Sequence, residues 1–181
     1  MALTLILIGM VVLQCAADCC TSCSRCSYDR SQCGEYTKHG VAFYAYISKD
    51  FAISTASSTF AFDVVITNNG NGYTPQTGIF TTPISGVYGF SWTMMAAGTH
   101  IAGTKGDYGE IRTHIMQNGI IKGTLHVDTE TYGDDASSTG FVILNLNKDD
   151  TVKISKAWIG EGSAYSNEQQ GRWTFSGFKI A

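Results

Sequence analysis

The sequence predicts an all-β domain of the sandwich or barrel class, and three observations predict it. Apolar residues alternate with polar ones over short runs separated by turn signals, the period-2 pattern of half-buried strands. Twenty Gly and only two Pro, among abundant Ser and Thr, favour short strands and turns over long helices. No stretch reads as an amphipathic helix of three turns. About eight to ten strands fit the pattern. The 181 residues suffice for one sizeable core. With 44% hydrophobic and 12% aromatic residues, the chain is not disordered. A net charge of −3 lacks the basic footprint that phosphate backbones require, so nucleic acid is not expected as a partner.

Taken in chain order, the first feature is LTLILIGMVVL, Leu3 to Leu13. This apolar run is shorter than the roughly 20 residues that span a bilayer in helix. Small residues follow it, with Cys15 and Ala17 before a plausible cut and Asp18 after. That is a secretory signal pattern over residues 1–17. Bulky Gln14 before Cys15 disfavours a lipid-anchored cysteine. No later run reaches spanning length, so the expectation is a secreted, extracellular protein without membrane insertion.

All six cysteines precede residue 34. Cleavage after Ala17 leaves five: Cys19, Cys20, Cys23, Cys26 and Cys33. Two overlapping C-x-x-C spacings raise zinc or redox chemistry, but Cys23 is shared between them and no βαβ context surrounds them. Disulfides in an oxidising compartment are the expected use. Residues 18–38 hold almost no aliphatic side chain and read as a Cys-rich stalk, with the globular domain over 39–181.

Within the domain, Phe62, Val64 and Ile66 are expected on one side of a strand, and Tyr88, Phe90, Trp92 and Met94 on one side of another. Near the end, Trp173 and Phe175 share a face opposite Phe178 and Ile180. Turns are expected at Asn68–Gly72, Asn118-Gly119, Gly133–Asp135 and Lys148–Asp150. The segments around Asn118-Gly119 form a hairpin. A two-residue turn mismatches the faces; a three-residue loop sets Ile111 against Val127 and Thr113 against Leu125. The other face then carries Glu110, Arg112, His114, Thr124, His126 and Asp128. From this polar strip, Arg112, His114 and His126 are the candidate ligand-binding residues.

The positions Phe62, Asn68, Tyr73, Phe80, Gly86, Tyr88, Phe90 and Trp92 resemble, with every spacing intact, the signature of the C1q domain. Trp92 departs from it, standing where Phe or Tyr is usual. VAFYAYISKD, DDASSTGFVILNLNKDDTVKI and TFSGFKIA extend the resemblance over Val41 to Ala181. It implies a ten-stranded antiparallel jelly-roll sandwich, shared with tumour necrosis factor, that assembles as a homotrimer. It also implies that the signature aromatics pack the sandwich and the trimer seam rather than hold a cofactor. Three copies carry fifteen stalk thiols, an odd number, so a trimer leaves one free or joins a second trimer. No collagen repeat precedes the domain.

No G-x-S-x-G, H-E-x-x-H, P-loop or dinucleotide fingerprint occurs, so catalysis is not expected. Asp128, Glu130 and Asp134 cluster in DTETYGDDASS, the hard oxygen donors that calcium takes, and some C1q-like trimers hold calcium at this loop. The resemblance further implies a multivalent, lectin-like pattern-recognition molecule of innate immunity that binds carbohydrates or microbial surfaces. The alternative is an extracellular scaffold or signalling ligand that binds a protein receptor.

Overall fold

The computed structural model describes residues 40–54, 56–97, 109–129, 134–158 and 160–181. The signal segment, the stalk with its five cysteines, and Glu130 lie outside them. One compact unit runs over His39–Ala181. Among the described residues there is no helix, and every strand pairing is antiparallel.

The strands are β1 (Ala42–Tyr46), β2 (Phe51–Ala52), β3 (Val64–Asn69), β4 (Tyr73–Thr74), β5 (Ile79–Thr81), β6 (Gly86–Ala97), β7 (Glu110–Gln117), β8 (Ile120–Asp128), β9 (Asp135–Leu146), β10 (Thr151–Lys156), β11 (Ser163–Ala164) and β12 (Thr174–Lys179). These twelve exceed the ten expected because β2, β4 and β11 are two-residue pieces. One sheet has seven strands, with β9-β6-β12-β1-β3 as its body and β11-β2 continuing from the far end of β6. The other runs β4-β5-β10-β7-β8. The two face each other as a jelly-roll sandwich.

Aromatic rings fill the space between them. Phe43 of β1 stacks on Tyr73 at 4.9 Å and on Phe80 at 5.1 Å, and meets Phe175 edge-on at 4.9 Å. Rings of both sheets therefore meet on one side chain. Each fully buried ring contributes roughly 1.5–3 kcal/mol by leaving water, and a well-placed ring pair adds about 0.5–1.5 kcal/mol. Tyr88, Phe90, Trp92 and Met94 all point inward along β6, as their alternation requires, and Trp173 and Phe175 do so near the end. Phe178 and Ile180 face outward, about half exposed. Polar groups at the Tyr73 corner are paired: the Tyr73 hydroxyl donates to Phe62 O and accepts from Phe62 N, while the Asn68 amide brackets Tyr73's own backbone.

The signature aromatics are wholly internal, and Trp92 shows how the largest is accommodated. Its indole N–H donates to Thr113 Oγ1 across the sandwich at 3.1 Å, and that hydroxyl in turn donates to Met94 Sδ. A Cβ at Gly140 would lie 2.5 Å from Trp92 Cη2, and one at Gly123 3.3 Å from the same atom. Two glycines vacate the volume that Trp needs beyond Phe or Tyr.

Two expectations are corrected. The hairpin has a two-residue turn, not a three-residue loop: Gln117 pairs with Ile120, and Asn118 and Gly119 both have positive φ (50° and 81°). That is the type I′ geometry, whose twist matches the strands. The register then shifts between Ile115 and Met116, leaving Lys122 as a bulge. The bulge restores Ile111↔Val127 and Thr113↔Leu125, the pairing the faces demand. The second correction is Ile66, which is 63% exposed rather than aligned with buried Phe62. Phe62 precedes β3, and Ile66 is the extra residue where β3 bulges against Tyr44 and Ala45.

Two outcomes test this packing. Gly140→Ala should cost about 1–3 kcal/mol by overpacking, and much less in a Trp92→Phe background; equal costs by denaturant titration would contradict the account. Burial pushes the Tyr73 phenol up to about 12, against the opposing bond from Phe62. Its contribution is complete below the unfolded value near 10 and is lost as pH climbs from there towards 12. Tyr73→Phe should therefore flatten part of the stability loss over that range; an unchanged alkaline slope would contradict it.

Candidate functional site

The polar strip forms on the outward face of β7 and β8. Inward Ile111, Thr113, Ile115 and Val127 are anchored in the core, so their neighbours must face out. The register sets Glu110 opposite Asp128, Arg112 opposite His126, and His114 opposite Thr124. The structure thus brings Arg112, His114 and His126 onto one surface.

The side chains are partly organised. His126 Nε2 meets Glu110 Oε1 at 2.9 Å, and His114 Nδ1 lies 3.0 Å from Thr124 Oγ1. Arg112 makes neither contact. Its guanidinium carbon stands 5.5 Å from the ring centroid of Trp158, a residue the sequence reading did not single out. Trp158 is 51% exposed, unusual for the largest apolar side chain. Backbone pairing fixes its position. Ala157 N donates to Arg112 O at 2.9 Å, and Glu110 and Glu161 exchange bonds at 3.0 and 2.9 Å. The chain either side of Trp158 is clasped to β7 beside Arg112. Just before it, the Lys156 ammonium is turned away, donating to Ala56 O at 2.6 Å and reaching Ile53 O and Ser54 O at 3.4 and 3.5 Å.

Of the calcium residues, Asp128 is exposed at the end of β8 and Asp134 is exposed just before β9. Among the described residues, no three His, Cys, Asp or Glu side chains gather into a metal-sized group. An open groove lies elsewhere, lined by Ile47, Phe51, Phe60, Asp63 and Gln76, and holds none of the expected site residues. Burial alone would raise the Asp63 carboxyl, but Ser48's side-chain and backbone bonds outweigh it and hold the group below its usual range.

The opposite outer face of the sandwich is apolar at its centre. Phe141 (56% exposed) and Ile143 of β9, and Phe178 of β12, flank β6. A Cβ at Gly89 would touch both rings, at 3.1 and 3.3 Å, so Phe141 and Phe178 meet over that glycine.

A sequence profile of the C1q domain matches residues 42–180. The chain belongs to the C1q domain family. It is 32% identical over 140 residues to Complement C1q tumor necrosis factor-related protein 3 of Mus musculus, and 31% identical to that of Homo sapiens. Each match covers 77% of this chain and 51% of the relative, so the chain spans about half the length of those relatives. The collagen alpha-1(X) chain of Mus musculus is 30% identical over 150 residues, covering 79% of this chain and 20% of its own. Among solved structures, the globular domain of zebrafish complement 1qA superposes with a TM-score of 0.56 at 18% identity, covering 78% of this chain and 98% of that one. The Eiger TNF from S. frugiperda gives 0.54 at 14%, covering 80% and 94%. Both show the C1q and tumour necrosis factor jelly roll. No helix among the described residues is long and apolar enough to cross a membrane.

The strip's role predicts a contrast in stability. Arg112→Ala should cost no more than about 1 kcal/mol, the scale of an exposed cation–π contact. Lys156→Met should cost more, because it removes the ammonium that donates to Ala56 O and Ser54 O. Chemical denaturation checks both; a larger cost at Arg112 would make the strip structural.

Proposed function

We propose that this C1q domain is a secreted binding protein, lectin-like and multivalent, that recognises carbohydrates on microbial or other surfaces. The carrying observation is the division of its two outer faces. One is an apolar centre built on Phe141, Ile143 and Phe178; the other is a strip of unburied hydrogen-bonding groups with an exposed indole. Monomers rarely leave a contiguous apolar face open, so the first suits packing between copies in a homotrimer. The strip remains outward in each copy. Three weak sites on one particle gain avidity that none has alone. The odd count of stalk thiols supports a disulfide-linked assembly larger than one trimer.

Recognition fits the strip, whose donors and acceptors lie side by side on the open face of β7 and β8. Indole faces pack on the apolar side of sugar rings, and Arg, His, Asp and Thr groups match hydroxyls. A glycan array is the test. Saturable binding displaced by free sugar is expected; silence on the array with saturable capture of a purified receptor ectodomain would replace this reading with that of a receptor ligand.

Calcium bound by Asp128, Glu130 and Asp134 is the second part of the proposal, supported by this run of carboxylates in the sequence. An ion bound only by the folded state adds about 2.7 kcal/mol at a hundredfold excess over its dissociation constant. Millimolar calcium should raise the melting temperature, and Asp134→Asn should remove most of the rise. Identical melting curves with calcium and with chelator would end it.

A further inference from the structure

The strip's most unusual member is Arg112. It is half-buried, yet no carboxylate lies within 4 Å of it among the described residues, and its guanidinium stands over the Trp158 ring. An Arg whose head is left without an acidic partner keeps five N–H donors available for an incoming anion. The acid two residues along β7, Glu110, is committed to His126 on the β8 side. Trp158 stands on the other side of Arg112, in the chain that leaves β10. Glu110 and Trp158 thus lie on opposite sides of Arg112, and the guanidinium stands over the indole rather than against the acid.

We infer that Arg112 and Trp158 form an acidic-sugar subsite, in which the guanidinium pairs with the anion of an acidic pyranose and Trp158 packs against the ring's apolar face. The inference deepens the glycan reading above and rests on it. The planar fork of Arg matches a carboxylate or sulfate bidentately, which a lysine cannot reproduce. The backbone near Trp158 is tied to β7 by the Ala157 bond before it and the Glu110–Glu161 exchange after it, which keeps the indole beside Arg112. His114 keeps Nε2 free of protein partners among the described residues, two positions along the same face from Arg112, as a further hydrogen-bonding group for sugar hydroxyls.

The experiment uses the full chain and three probes of matched length: oligogalacturonate, its methyl ester, and a sulfated galactan. Calorimetry should show saturable binding of an acidic probe, with the ester at least tenfold weaker than its acid. The carboxylated and sulfated arms decide which anion is preferred. Arg112→Ala and Trp158→Ala should each lose at least tenfold, and Arg112→Lys a lesser part, with every variant still folding cooperatively and melting no more than a few degrees below wild type. Equal binding of acid and ester, or wild-type binding by Arg112→Ala, overturns the subsite. Binding of neutral glycans with no acidic probe bound also overturns it and leaves the glycan reading standing. Failure of every saccharide overturns the reading it rests on.

Discussion

Everything in this domain depends on one aromatic junction. Phe43 receives Tyr73 and Phe80 from one sheet and Phe90 and Phe175 from its own, all within 6.3 Å between ring centres. Rings this large hold two sheets at a fixed separation and leave no room for a ligand between them. The space between the sheets is filled by these rings, and the two outer faces differ in chemistry.

That difference follows from strand alternation. Each inward aromatic on β6 forces its neighbours outward, where Gly89 leaves the hollow over which Phe141 and Phe178 meet. On the second sheet, inward Ile111, Thr113 and Ile115 send Glu110, Arg112 and His114 out. Thr113 joins the two halves, accepting from Trp92 within the core while its neighbours carry the strip. Core and site thus share a strand, and the rigidity of one fixes the geometry of the other.

Much of this was legible in the sequence. Alternation located the inward aromatics, and matching apolar faces across the Asn118-Gly119 hairpin gave the register of Ile111 with Val127. The same matching missed how that register arises, because a bulge at Lys122 leaves no mark in composition. Ile66 was misplaced for the same reason. Trp158 was not legible at all. Its approach to Arg112 depends on β10 pairing with β7 across the 33 residues between Gln117 and Thr151, where no turn fixes the register. Hairpin partners can be read from local sequence; partners brought together by a crossover cannot. The calcium residues fall between these cases, since their clustering is visible while Glu130 lies outside the described residues.

The central claim is that the apolar outer face joins copies while the polar strip stays free. Sedimentation equilibrium on the domain from residue 39 onward, as wild type and as Phe141→Arg, tests it most directly. The account predicts three times the monomer mass for the wild type, and a folded monomer with an unchanged circular dichroism spectrum for the variant. A wild-type domain that sediments as a monomer at micromolar concentration, or a Phe141→Arg variant that keeps the trimer mass, would contradict it.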